Sequence, residues 1–312
     1  MTLDPDVVSL LALIKAAGRP ALDSLPPPEA REAYQAGRRV LQPDPAEVAA
    51  VRDLVIPGPA GAIPARLYRG IGTDAAARLP CLVYYHGGGW VIGDIESHDV
   101  ICRRLANDAN CAVLSVDYRL APEHKFPAAY DDSVAAMRFA VEHPDQLGID
   151  PAKVAVGGDS AGGNLAAAAA LAARDAGLKL TGQVLIYPAT DMDMTLDAYR
   201  RVTDGFPLVA GTMKWFIDHY LRDEADRRDW RASPLRAASL RGTAPAIVIV
   251  AAHDPLADDG LAYAKRLEQD GVGVTSHYFS GQIHGFVSMG RLLRAADTAL
   301  QMVAISLRQS WT

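Results

Sequence analysis

The 312-residue sequence predicts an α/β fold, a mostly parallel eight-stranded sheet flanked by helices. Three observations predict it. Past residue 50, strand-like and helix-like stretches alternate, the pattern of strands joined by crossover helices. Several strand-like stretches, such as Ile247-Val-Ile-Val250, are unbroken aliphatic runs, the mark of strands buried on both faces. Finally, Gly157-Gly-Asp-Ser-Ala-Gly-Gly-Asn164 lies between an apolar strand-like run and an alanine-rich helix-like run. It places Ser160 on a sharp strand-to-helix turn, with Gly158 and Gly162 on either side leaving room for the bend.

In chain order, residues 1–50 read as helical. Val7, Val8, Leu10, Leu11, Leu13 and Ile14 make one apolar face, and Pro26-Pro27-Pro28 separates a second helix running to Val40. Strands are expected at 51–56, 63–68, 82–85, 112–116, 153–156, 183–187, 246–251 and 274–279. Helices are expected near 97–108, 127–142, 161–176, 258–269 and 291–307. The first two strands have no helix between them and predict an antiparallel edge. Nearly sixty residues between Tyr187 and Ala246 carry no strand signal. A structureless loop of that length is improbable in a compact domain. Met213-Lys-Trp-Phe-Ile-Asp-His-Tyr220 has a helical apolar face, so the interval reads as an inserted helical segment. The expected organisation is a helical cap from residues 1–50 and 189–243 over a core of 51–188 and 244–312. The cap would cover the C-terminal sheet edge, where open α/β sheets hold ligands.

Composition narrows the function classes. Half the residues are hydrophobic and 22% are charged, with net charge −6 and no Lys/Arg cluster. That argues against nucleic acid as a partner. Cys81, Cys102 and Cys111 are odd in number and lack zinc-site spacing, so they read as buried thiols in a reducing compartment. The acidic N-terminus lacks the basic region of a signal peptide, and no apolar run is long enough to cross a membrane. A soluble cytoplasmic protein is expected.

A serine on such a turn becomes nucleophilic only with a base, itself oriented by an acid. In a sheet of this kind the chain order is serine, acid, histidine. Four histidines follow Ser160. His219 falls in the inserted helix, His253 directly precedes the acid candidate, and His277 alternates within a strand. His284 lies beyond the last strand in a glycine-flanked loop, the best position for a base. Asp254 ends the strand before it. Asp258 and Asp259 read as acids at a helix N-terminus. Asp191 and Asp193 are the rival acids. Upstream, the apolar strand ends in His86-Gly87-Gly88-Gly89-Trp90. Its bare N–H groups, with that of Ala161, can converge on an oxyanion. The competing reading is a phosphate loop, but neither a Gly-Lys-Ser/Thr nor a Gly-x-Gly-x-x-Gly pattern is present. His86 reads as a structural hydrogen-bonder.

Six stretches then carry a specific resemblance: His86-Gly-Gly-Gly-Trp-Val-Ile-Gly-Asp94, Asp117-Tyr-Arg-Leu-Ala-Pro-Glu123, Phe126-Pro-Ala-Ala-Tyr-Asp-Asp132, Gly157 to Asn164, Asp254-Pro-Leu-Ala-Asp258 and His284-Gly-Phe286. Over roughly two hundred residues and in the same order, the chain resembles the hormone-sensitive-lipase-like (family IV) carboxylesterases of the α/β-hydrolase fold. The resemblance implies Ser160 as nucleophile, His284 as general base then acid, and Asp254 as its orienter. It implies Gly88, Gly89 and Ala161 as oxyanion donors, and a helical cap. Short- to medium-chain carboxylic esters are the implied substrates, with neither metal nor organic cofactor. By analogy and position, Trp90, Tyr187, Phe206, Leu208, Met213 and Phe286 are candidate pocket walls, and Met192 belongs to the same region. A receptor on a hydrolase scaffold is the rival reading, set back by the retained His284. Amide, lactone or carbonate hydrolysis would use the same residues. A homodimer through strand 274–279 is expected if that strand is an exposed edge.

Overall fold

The computed structural model describes residues 2–312. Eight strands form one sheet in the order β1-β2-β4-β3-β5-β6-β7-β8. They are β1 (Ala50–Gly58), β2 (Gly61–Arg69), β3 (Leu79–Tyr85), β4 (Ala112–Val116), β5 (Ile149–Asp159), β6 (Gly182–Ile186), β7 (Ala246–His253) and β8 (Val274–Ile283). The expected antiparallel edge is present, with β1 on β2 and β2 also antiparallel to β4. From β4 to β8 every pairing is parallel.

The helices are α1 (Pro5–Ala17), α2 (Pro27–Leu41), α3 (Ile95–Ala109), α4 (Ala128–Glu142), α5 (Pro144–Leu147), α6 (Ala161–Asp175), α7 (Asp197–Arg201), α8 (Ala210–Tyr220), α9 (Ala257–Gln269) and α10 (Ala295–Ser310). Two apolar cores sandwich the sheet. Cys81, Val83 and Tyr85 of β3 face one, with α4, α6 and α9 over it. Leu82 and Tyr84 face the other, under α3 and α10. This two-sided burial is why the central strands are aliphatic throughout. On α6 the run Ala166 to Ala170 is wholly buried, and these small side chains let the helix lie close to the sheet.

Boundaries differ locally, for physical reasons. Tyr187 adopts φ 36°, which ends β6 one residue before the expected 187. Helix α10 starts at Ala295 rather than 291, after a turn in which Leu292 and Leu293 bond back to Met289. Asp258 and Asp259 do occupy the first turn of α9, but their carboxylates serve other segments. Asp258 accepts from the Ala198 amide and pairs with Arg201. Asp259 accepts from the amides of Thr190 and Asp191.

The interval 187–246 is helical, holding α7, α8 and two short 3-10 turns. Its α8 meets the N-terminal segment, where the Thr212 hydroxyl donates to Asp23 at 3.0 Å. Helix α2 docks through arginines. Arg31 donates to the carbonyls of Val91 (2.8 Å) and Ala121 (2.9 Å), and Arg38 donates to the Ser288 hydroxyl. All three cysteines are buried and free. Burial raises the Cys81 thiol to about 12, so it stays protonated near neutrality. Among the described residues no helix is long and apolar enough to cross a membrane.

Candidate active site

The site begins at the turn from β5 into α6. Ser160 adopts φ 57° and ψ −118°, a conformation that L-residues rarely hold. Three hydrogen bonds fix it: its amide donates to Ile186 O at 2.8 Å, and its carbonyl accepts from the amides of Asn164 at 3.0 Å and Ala189 at 3.4 Å. The flanking glycines are sterically required. A Cβ on Gly158 would lie 2.3 Å from Tyr85 O, and one on Gly162 only 1.8 Å from it. The α6 N-terminus is thereby pressed against the end of β3, with the Ser160 hydroxyl at the sheet's carboxyl edge.

His284 and Asp254 arrive from the neighbouring strands. His284 follows β8 directly, and its Nε2 lies 2.9 Å from Ser160 Oγ. Its Nδ1 lies 2.6 Å from Asp254 Oδ2. Asp254 follows β7, is wholly buried, and accepts from the Leu256 amide through its other oxygen at 2.8 Å. The three residues expected to act together thus form one continuous hydrogen-bonded chain from three strand ends. The rivals are engaged elsewhere. Asp191 and Asp193 both pair with Arg236. His219 contacts the Trp215 carbonyl, and the His253 ring lies against Phe206.

The loop after β3 turns through three left-handed residues, Gly88 (φ 121°), Gly89 (φ 58°) and Trp90 (φ 62°). A Cβ on Gly88 would lie 2.1 Å from Ile92 O, and one on Gly89 2.2 Å from the Phe216 ring. Among the described residues neither Gly88 N nor Gly89 N donates a hydrogen bond. Ala161 N opens α6 and is one of the helix's orphan donors. Such uncommitted amides suit an anion. His86 behaves as the expected structural group. Its Nδ1 contacts Gly87 O at 2.8 Å and its ring stacks on Tyr118 at 4.3 Å. Burial, then the neighbouring His98, lowers its pKa to about 4, so the ring is neutral at pH 7.

The expected pocket residues separate into groups. Tyr187 packs on His284 with ring centroids 4.6 Å apart, and Phe286 lies behind it at 5.9 Å. Trp90 is wholly buried and stacks on Tyr220 at 4.5 Å. Leu208, Met213 and Met192 are buried in the core shared with α6, while Phe206 is half-buried against the opposite core. Sequence reading missed two residues. Phe216 touches the glycine loop after β3, and its only signal was its place on the apolar face of α8. Asp159, immediately before Ser160, accepts from the Gly87 amide at 3.0 Å.

Two recesses of about 510 and 440 Å³ open elsewhere, both walled by Asp94 and Asp117. Burial, then the Asp94 charge, raises Asp117 to about 6. Neither recess includes Ser160, His284 or Asp254, so the nucleophile is not there.

Comparison with known proteins agrees with this geometry. A family described as the alpha/beta hydrolase fold matches residues 82–288. Carboxylic ester hydrolase LipN of Mycobacterium tuberculosis is 44% identical, covering 93% of this chain and 78% of its own length. Ethyl acetate hydrolase of Pseudomonas putida is 40% identical, over 99% of each chain. Among solved structures, an ester hydrolase from the metagenome of Lake Arreo, complexed with a bipyridine phosphonate derivative, superposes with TM-score 0.95 at 45% identity over 99% of each chain. A hyperthermophilic esterase from the archaeon Pyrobaculum calidifontis gives 0.92 at 40% identity, again over 99% of each. With fold, chain order and site geometry in agreement, the chain belongs to the α/β-hydrolase family, in the hormone-sensitive-lipase-like group its motifs resemble.

Proposed function

We propose that this chain is a serine carboxylesterase acting on short- to medium-chain carboxylic esters through an acyl-enzyme. The observation that carries the reading is the unbroken chain Ser160 Oγ to His284 Nε2 (2.9 Å) and His284 Nδ1 to Asp254 Oδ2 (2.6 Å). Ser160 attacks the ester carbonyl while His284 takes its proton. Asp254 holds the imidazole in the tautomer this needs and stabilises the imidazolium. The negative charge that develops on the carbonyl oxygen is received by the amides of Gly88, Gly89 and Ala161. Each such donor is worth about 3 kcal/mol of transition-state stabilisation. His284 then protonates the departing alcohol. Water, deprotonated by His284, attacks the acyl carbon, and Ser160 leaves with its proton restored. The names of the relatives, carboxylic ester hydrolase and ethyl acetate hydrolase, support an ester as the bond cleaved.

Residues 1–50 and 189–243 are assigned as a cap over a core of 51–188 and 244–312. The Thr212–Asp23 bond and the Phe216 contact with Gly89 support this division, since the first joins the two segments to each other and the second joins the inserted one to the site. Trp90, Tyr187, Phe206, Leu208, Met213 and Phe286 are assigned to the acyl and alcohol pockets. A homodimer through β8 is supported by that strand's place at the sheet edge. Light scattering on the purified protein tests it, and a monomeric mass refutes it. A cytoplasmic location is supported by three unpaired cysteines.

The deciding experiment is a panel of nitrophenyl esters from acetyl to palmitoyl, with Ser160→Ala as control. Hydrolysis should favour the short and middle chains and fall at least about 10⁴-fold in the variant. Unchanged hydrolysis by Ser160→Ala refutes the assignment.

A further inference from the structure

We propose that Asp159 is a positioning residue for the reaction: from the nucleophile's own strand it holds the Gly87 amide, and through it the spacing between Ser160 and the Gly88 and Gly89 N–H groups. The proposal rests on the esterase reading above.

The β3–β5 ladder explains why a side chain is needed there. Its parallel pairing runs up to Tyr85 opposite Gly158 and stops. Beyond it, β5 turns into α6 at Ser160 while the chain after β3 enters the loop, so no backbone acceptor remains for Gly87 N. The Asp159 carboxylate supplies one and extends the ladder a further step with a side-chain oxygen. Oδ1 accepts from Gly87 N at 3.0 Å and from the Tyr84 hydroxyl at 2.8 Å, and His98 Nε2 lies 3.2 Å away. Oδ2 occupies the space over Gly87, where a Cβ would lie 2.4 Å from it.

The His86–Gly87 peptide is gripped on both sides. Tyr118 donates to its oxygen at 2.7 Å, and its N–H is shared between Asp159 Oδ1 at 3.0 Å and His98 Nε2 at 3.2 Å, the ring that Asp159 itself holds. The next two residues are glycines with φ of 121° and 58°, so the chain itself does little to fix where their amides point. Val91 and Ile92 hold the Gly88 carbonyl, but they belong to the same loop and move with it. Of the groups gripping this peptide, Asp159 is the one directly bonded to the nucleophile's residue. Its pKa supports an anionic acceptor. Burial alone would raise it, yet His98 and Tyr84 bring it to about 2.

A merely structural carboxylate and a positioning one differ in what their loss does to the oxyanion. The test compares the parent with Asp159→Ala and Asp159→Asn. Active sites are counted with a fluorophosphonate, kcat and KM are measured on nitrophenyl butyrate, and Ki is measured for an alkyl trifluoromethyl ketone, whose adduct with serine carries an oxyanion. In Asp159→Ala, kcat per titrated site should fall about 10²-fold with KM nearly unchanged, and Ki should rise by a similar factor. Asp159→Asn keeps an acceptor oxygen but not the charge, so a loss of about tenfold in both is expected. The proposal is overturned if Asp159→Ala keeps the parent kcat per site, if the loss appears in KM alone, or if Ki stays put while kcat falls. Should Asp159→Ala not fold, Asp159→Asn decides, and its retaining full kcat overturns the proposal. A parent that takes up no fluorophosphonate overturns the esterase reading, and Asp159's role with it; a parent labelled once per chain separates the two.

Discussion

The ring of Phe216, on α8, fills the space where a side chain on Gly89 would have to go. A Cβ at residue 89 would lie 2.2 Å from that ring. The inserted segment is therefore in direct contact with the glycine loop that follows β3. Gly89 is held to glycine twice, by this contact and by its φ of 58°. Gly89→Ala is expected to lower kcat at least about 10²-fold, as for loss of one oxyanion donor. Adding Phe216→Leu should recover part of the loss by relieving the clash, while the backbone strain remains. Steady-state kinetics on both variants checks this, and full activity in the single variant would contradict it.

Asp254→Asn tests the orienting role apart from the fold. The amide can still accept from Leu256 but presents the wrong partner to His284 Nδ1. A fall in kcat of about 10⁴-fold is expected, as for other triads of this kind. The measurement is kcat at saturating ester, alongside a melting curve to establish that the chain is folded.

Tyr187 separates ring from hydroxyl. Its ring lies 4.6 Å from that of His284, while its hydroxyl is buried and has no partner among the described residues. Tyr187→Phe removes an unsatisfied group and should be neutral or stabilising by up to about 1 kcal/mol. Tyr187→Ala removes packing beneath the histidine and should cost about 3–5 kcal/mol. Urea denaturation of both variants distinguishes them, and a Tyr187→Phe as unstable as Tyr187→Ala would show the hydroxyl to be engaged.

The wholly buried Asp259 sets a pH dependence. Burial raises its pKa from 3.8 to about 7, against the lowering effect of the Thr190 and Asp191 amides. The folded state thus binds the proton more tightly than the unfolded chain does. Its contribution to stability is full below the unfolded value and is lost as pH rises toward 7, by up to about 1.4 kcal/mol per pH unit. Asp259→Asn mimics the protonated form and should flatten that part of the stability–pH curve. Melting temperatures of both proteins between pH 4 and 8 provide the check, and parallel curves would refute it.

The sequence made the sheet and the strand tips legible because those depend on local signals. Apolar runs, glycine turns and chain order were enough to single out Ser160, Asp254 and His284, which the fold brings within hydrogen-bond distance. What stayed hidden depends on contacts between distant segments. In the sequence Asp159 is only the neighbour of Ser160, and the Gly87 amide reaches its carboxylate only through the fold. Asp258 and Asp259 read as first-turn acids because nothing local reveals that Ala198, Thr190 and Asp191 come to meet them. Tyr187 read as a strand residue because its φ of 36° is imposed from outside, where its amide bonds to Ile249 O at 2.7 Å.

The backbone of Ser160, at φ 57° and ψ −118°, has a wider consequence. Holding a serine there costs about 1–3 kcal/mol that a glycine would not incur. Ser160→Gly is therefore expected to be inactive yet to melt higher, by the strain relieved less the flexibility glycine adds to the unfolded chain. Calorimetry measures the difference, and a lower melting temperature would show that the turn is relaxed. Thermal robustness and turnover are opposed at a single codon. A laboratory selection for heat resistance alone, without a screen for hydrolysis, would be drawn to replace the nucleophile itself.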